Sequence, residues 1–154
     1  SSAASDVYKR QLINQAPVIA HQMDLLMSVD GVGERVALKM IMETDAFTSF
    51  TDPRKFCCHA GVVPFVYVSG SSQRSKNRVS NRADKSIKHL LHMAALSVSQ
   101  VKNSPLKKYY DRKVEEGKNK MSVLNAVRAK LVTIMFAVIR ADAFFSRNYQ
   151  NSLA

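Results

Sequence analysis

The stretch Lys85-Ser86-Ile87-Lys88-His89-Leu90-Leu91-His92-Met93-Ala94-Ala95-Leu96-Ser97-Val98 decides the fold class. Ile87, Leu90, Leu91, Ala94, Ala95 and Val98 recur at helical spacing on one side. Lys85, Lys88 and His92 fall nearer the other side, so the stretch reads as a helix buried on one face. The same period recurs upstream. Pro17 suits the first turn of a helix running through Ile19, Met23, Leu26 and Met27. Asp30-Gly31-Val32-Gly33 interrupts it, and Val36, Ala37, Met40 and Ile41 restart an apolar face. Asp52-Pro53 is an N-cap followed by proline at the first helical position, opening a short helix toward Cys58.

Downstream, Ser104-Pro105 opens a further helix and Gly117 closes it. The last helix is expected from about Met121 into Phe144, with Leu124, Val127, Leu131, Ile134, Met135 and Val138 as its stripe. The exception is Gly61 to Ser69, where β-branched and aromatic residues surround Pro64 and predict an extended or hairpin-like segment. Polar loop residues follow to about Ser80. The expected fold is mainly α: a helical bundle with a helix-hairpin-helix-like turn and one extended loop or short β-hairpin in its middle.

Composition narrows the function. A chain of 154 residues fits one domain with a core of useful size. Its formal net charge of +11 points to a polyanionic partner, of which nucleic acid is the leading class. A membrane surface is the rival, but no apolar run looks long enough to span a bilayer, and Leu131 to Ile139 is short and flanked by Lys130 and Arg140. Cys57 and Cys58 are adjacent, a poor arrangement for a disulfide, so a reducing, intracellular compartment is expected. Residues 1–11 read as a linker or cloning scar rather than a secretion signal.

Two segments could carry chemistry. Val29-Asp30-Gly31-Val32-Gly33-Glu34-Arg35-Val36-Ala37 has the form of a turn between two helices. Glycines there let the backbone approach a ligand, and the N–H groups opening the next helix can receive a phosphate oxygen. Gly31, Val32 and Gly33 are therefore candidate nucleic-acid contacts. An ordinary glycine turn is the alternative, while a dinucleotide fingerprint lacks its preceding strand. The second segment is Ser69-Gly70, followed by a basic run of Arg74, Lys76, Arg78, Arg82, Lys85 and Lys88 with Asp84 as its one acid. Arginine forks onto phosphate well, which favours nucleic-acid contact over a merely solvated face. Ser69 is either a nucleophile toward a phosphodiester or a turn residue. His59 and His89 are the nearest candidate bases by sequence alone.

A second basic cluster, Lys102, Lys107, Lys108, Arg112, Lys113, Lys118 and Lys120, is interleaved with Asp111, Glu115 and Glu116, and helical ion pairs explain it nearly as well. Tyr109 and Tyr110 could stack on bases or belong to the core. A metal site is not expected, because Cys57-Cys58-His59 lacks ligand spacing and no acid cluster could hold magnesium.

From about Leu25 to Phe144 the chain resembles the C-terminal transposase domain of the insertion-sequence one-ten family, the Piv/MooV-type DNA recombinases. The resemblance rests on Gly31-Val32-Gly33 with Ala37, on Phe50 and Arg54-Lys55-Phe56, and on Ala60-Gly61-Val62-Val63-Pro64. It continues through Ser69-Gly70, Arg78-Val79-Ser80-Asn81-Arg82-Ala83-Asp84-Lys85, Leu90-Leu91 and Ala94-Ala95. Ala83 departs from the glycine that many members carry in this segment.

The resemblance implies that Ser69 is the nucleophile, attacking a backbone phosphate to give a phosphoserine intermediate, with Ser71 and Ser72 as near alternatives. It implies a separate N-terminal RuvC-like domain whose acidic residues hold magnesium, leaving this chain without a cofactor of its own. DNA and a structured guide RNA are the implied partners, with a homo-oligomer in the full-length protein and no membrane. The implied location is the bacterial cytoplasm, at the nucleoid. On this reading residues 12–28 end a connecting helix or coiled coil, 29–147 form the transposase domain and 148–154 are a flexible tail. A non-catalytic helix-hairpin-helix DNA-binding module is the alternative.

Overall fold

A computed structural model describes residues 2–63, 68–69, 73–74 and 85–148. Among them are seven helices: α1 (Ser2–Gln15), α2 (Pro17–Met27), α3 (Glu34–Glu43), α4 (Pro53–His59), α5 (Lys85–Val98), α6 (Pro105–Glu115) and α7 (Lys120–Ala141). Two two-residue strands, β1 (Val68–Ser69) and β2 (Gln73–Arg74), pair antiparallel in the middle of the chain, with Ser69 opposite Gln73 and Val68 opposite Arg74.

Helix starts follow local chemistry. Proline opens α2, α4 and α6, where its missing N–H is no loss. Asp52 caps α4 by accepting the Arg54 N–H at 2.9 Å. Asn119 caps α7 by accepting from the N–H groups of Met121 and Ser122 at 2.9 and 3.2 Å. The final helix stops at Ala141, short of the expected Phe144. Asp142 adopts a left-handed conformation (φ 51°) that ends the hydrogen-bond ladder.

α7 is the axis of the bundle and lies against α2, α4, α5 and α6, while α3 bridges α2 and α5. Its stripe of Val127, Leu131, Val132 and Met135 is fully buried, and so are Ile87, Leu91, Ala95 and Val98 of α5. Each large apolar side chain removed from water in this way stabilises the fold by about 1.5–3 kcal/mol. Phe56 from α4 packs at a tilt against Phe136 and edge-on against Phe50, at centroid distances of 5.7 and 5.4 Å, which fixes the short helix to the core.

By length and composition α7 could cross a bilayer, a feature the shorter run from Leu131 to Ile139 understated. Over half of its most apolar window is instead buried inside the protein, which accounts for the hydrophobicity as core. Met23 and Leu26 are likewise core residues, and only Met27 of that stripe stands exposed.

Asp45, Ala46 and Phe47 form an unanticipated left-handed turn after α3, with φ of 48°, 54° and 63°. Buried Thr44 holds it: its hydroxyl donates to the Met40 carbonyl at 2.7 Å and accepts the Phe47 N–H at 2.9 Å. Phe47 then packs edge-on against Phe136, at 5.0 Å between centroids.

Candidate functional site

The turn from Val29 to Gly33 joins α2 to α3, and its two glycines do different things. Val29 and Val32 point into the core. Gly31 has φ +83°, and a Cβ there would stand 2.6 Å from the Val98 Cβ and 3.1 Å from the Ala94 carbonyl oxygen. The space a Cβ would need is therefore taken by α5, which gives this glycine a packing role. Gly33 is the N-cap of α3, exposed, with ordinary φ and nothing within 4 Å of a built Cβ. Gly33 has no side chain to cap α3, so the first N–H groups of the helix lack an intrahelical or capping partner there.

The acids of this turn are neutralised from a distance. Arg147 grips Asp30 with two bonds, Nε to Oδ2 at 2.9 Å and Nη2 to Oδ1 at 3.0 Å. That bond to Asp30 holds the Arg147 guanidinium above its ordinary pKa. Arg10 bonds Glu34 at 2.5 and 2.8 Å. The carboxylates that would repel a phosphate at the start of α3 are thus occupied by arginines. Sequence reasoning missed both pairs because the partners lie 117 and 24 residues away.

Ser69 closes β1 and Arg74 closes β2, so the backbone pairing brings the two segments side by side. Gly70, Ser71, Ser72, Lys76, Arg78, Arg82 and Ala83 lie outside the described residues. Lys85 is exposed as the first residue of α5, and Lys88, one turn later, is half-buried.

Further along α5, His92 lies near Arg128 of α7. Arg128 of α7 is buried at 7% exposure, its guanidinium bonded to Asn125 and its Nε without a partner among the described residues. Burial pulls its pKa down. His92 is also shifted down, by burial first, then by the charges of Arg128 and His89. None of these three groups is paired with a carboxylate among the described residues.

The other candidate groups are committed elsewhere. His59 meets Glu43 at 3.4 Å and stacks beside Phe50. Cys57 is buried, its thiol pushed up to about 12 by burial and by neighbouring Cys58 and Asp52, so it stays protonated and inert. No group of acids, histidines or cysteines suited to a metal ion occurs among the described residues. Tyr109 and Tyr110 are half-buried against the core.

This helical frame, with its turn, central loop and basic α5, belongs to a transposase domain. Residues 23–111 match the family described as Transposase IS116/IS110/IS902, and the chain is a member of that family. It is 28% identical over 137 residues to the pilin gene-inverting proteins of Moraxella bovis and of Moraxella lacunata, covering 89% of this chain and 42% of each of those proteins. A 43.6 kDa protein of insertion element IS110 from Streptomyces coelicolor is 27% identical over 129 residues, covering 82% of this chain and 31% of that protein. The chain thus spans less than half the length of these relatives.

Proposed function

We propose that this chain is the nucleic-acid-binding, serine-bearing domain of a DNA recombinase that acts with a structured guide RNA. The observation that carries the reading is the family match over residues 23–111, which takes in the α2–α3 turn, the Ser69 loop and the basic start of α5. Two physical features support it: the +11 charge, and the α3 N-terminus, without a side-chain cap, beside neutralised acids.

In the complete protein the Ser69 Oγ attacks a backbone phosphorus. A Ser–O–P bond forms as the bond from phosphorus to one sugar oxygen breaks. The serine proton passes to a base, and the departing sugar oxygen takes up a proton. Cations of the adjoining basic run stabilise the charge that builds on the phosphoryl oxygens. The separate acidic domain of the full-length protein supplies magnesium chemistry, and the assembly is a homo-oligomer.

In the full-length protein, Ser69→Ala is expected to abolish strand exchange and the covalent protein–DNA adduct while leaving DNA binding nearly unchanged. Recombination at the parent rate by that variant refutes the assignment. The exposed, uncapped start of α3 at Gly33 favours a second reading, a helix-hairpin-helix module that only tethers DNA. Under that reading Gly33→Leu weakens DNA binding and Ser69→Ala changes neither binding nor recombination.

A further inference from the structure

We propose that α6 and α7 form a second phosphodiester-binding surface, centred on Tyr109 and apart from the Ser69 loop and α5. Three cations from two helices converge on this one ring. Lys130 Nζ of α7 stands 4.7 Å from its centroid, Arg112 Cζ 5.7 Å and Lys113 Nζ 6.0 Å. The negative face of a ring attracts a cation, but it does not neutralise three of them. Like charges gathered this closely repel until an anion joins them.

The local acids do not supply that anion. Lys107 holds Asp111 at 2.5 Å, and Lys113 holds Glu116 at 3.1 Å. Glu115, the remaining acid of α6, makes no ion pair among the described residues, and neither do Arg112 and Lys130. The ion-pair explanation suggested by the sequence therefore covers Lys107 and Lys113 and leaves Arg112 uncompensated, beside a ring that also carries the unpaired Lys130 of α7.

The form of the patch selects the ligand. Lys130 covers the tyrosine ring, so the ring positions charge rather than offering a stacking platform to a base. Arg112 supplies a planar fork, and Lys130 a compact charge at the same ring. Neighbouring phosphates of one backbone can each accept from one of the two.

The position of the patch makes it a separate surface. Residues two apart on a helix point to nearly opposite sides. Arg128 acts on His92 of α5, whereas Lys130 turns to Tyr109 of α6. α7 therefore stands between this patch and the basic face of α5. One nucleic-acid segment can follow α5 while another lies along the α6–α7 seam.

The inference rests on the nucleic-acid-binding reading of the chain, and one titration separates the two. Binding of a duplex DNA, an RNA hairpin and polyglutamate is measured by fluorescence anisotropy across a salt series. The parent is compared with Arg112→Gln/Lys130→Gln, Lys107→Gln and Lys130→Arg, each checked for a native circular dichroism spectrum. Losing two phosphate contacts lowers the salt slope by about two, so the affinity lost between about 50 and 200 mM salt shrinks roughly tenfold. Lys107→Gln and Lys130→Arg are expected to keep the parent slope. The probe with the larger change, DNA or RNA, is the one that occupies the patch.

An unchanged slope in the double variant overturns the second surface alone, and so does a fall of about one unit for Lys107→Gln, which would reflect net charge only. Polyglutamate competing as well as nucleic acid would make the patch a docking site for an acidic protein, against the proposal. A parent chain that binds no nucleic acid overturns both this surface and the function on which it rests.

Discussion

Replacing Gly31 by alanine should unsettle the fold, while the same change at Gly33, two residues on, should not. At Gly31 the backbone is left-handed, with φ +83°, a conformation that costs a residue bearing a Cβ about 1–2 kcal/mol. The added carbon would also lie 2.6 Å from the Val98 Cβ and 3.1 Å from both the Ala94 carbonyl oxygen and the Val98 nitrogen. Two of those neighbours are backbone atoms of α5, so the strain spreads into the α3–α5 contact instead of being relieved by a rotamer change. Overpacking of this kind adds about 1–3 kcal/mol, for a total loss of roughly 2–5 kcal/mol. A domain of this size has only about 5–15 kcal/mol in all. At Gly33 the built Cβ meets nothing within 4 Å and φ is an ordinary −94°. The weaker N-cap costs about 0.5–1 kcal/mol there and is offset by about 0.4–1 kcal/mol from a less flexible unfolded chain. Urea unfolding of both variants, read by circular dichroism with the m-value held as a check, measures the difference. A Gly31→Ala protein within about 0.5 kcal/mol of the parent, or a Gly33→Ala protein equally destabilised, refutes the reasoning.

The two cysteines should separate under alkylation: half-exposed Cys58 reacts first, and Cys57 reacts only as the protein opens, because burial keeps its thiol protonated up to about 12. Mass spectrometry after a short iodoacetamide pulse reads this directly, and equal labelling would contradict the burial. His92 has its pKa below the ordinary 6.5, so the folded chain holds fewer protons on it than the unfolded chain does. Its contribution to stability is full above pH 6.5 and declines as the pH falls through that value, and His92→Gln should flatten this part of the stability–pH curve. Asn119→Ala removes the cap from α7, with an expected loss of about 1 kcal/mol by urea unfolding. Phe56→Ala empties a fully buried aromatic site, with an expected loss of about 3–5 kcal/mol in the same assay.

Much of the frame was legible because helices announce themselves locally. Pro17, Asp52-Pro53 and Ser104-Pro105 each mark a helix start that the structure contains. The stripe of α5 buries Ile87, Leu91, Ala94, Ala95 and Val98 as its period required. The last helix was placed three residues too long, because the left-handed stop at Asp142 has no glycine to announce it. The three left-handed residues after α3 were invisible for the same reason, being held by Thr44 and by Phe136 from a distant helix.

The sequence by itself determined the helical periods, the caps, the large positive charge and the order of motifs that marks the family. Those properties depend on neighbours within a turn or two, or on simple counting. Only the tertiary structure decided which glycine serves the core and which faces open space, since that depends on α5 lying behind Gly31. It alone brought Arg147 to Asp30 and set Lys130 over Tyr109 beside Arg112. Charges so far apart in sequence reach hydrogen-bond or van der Waals range only once the apolar stripes of separate helices have been buried against one another.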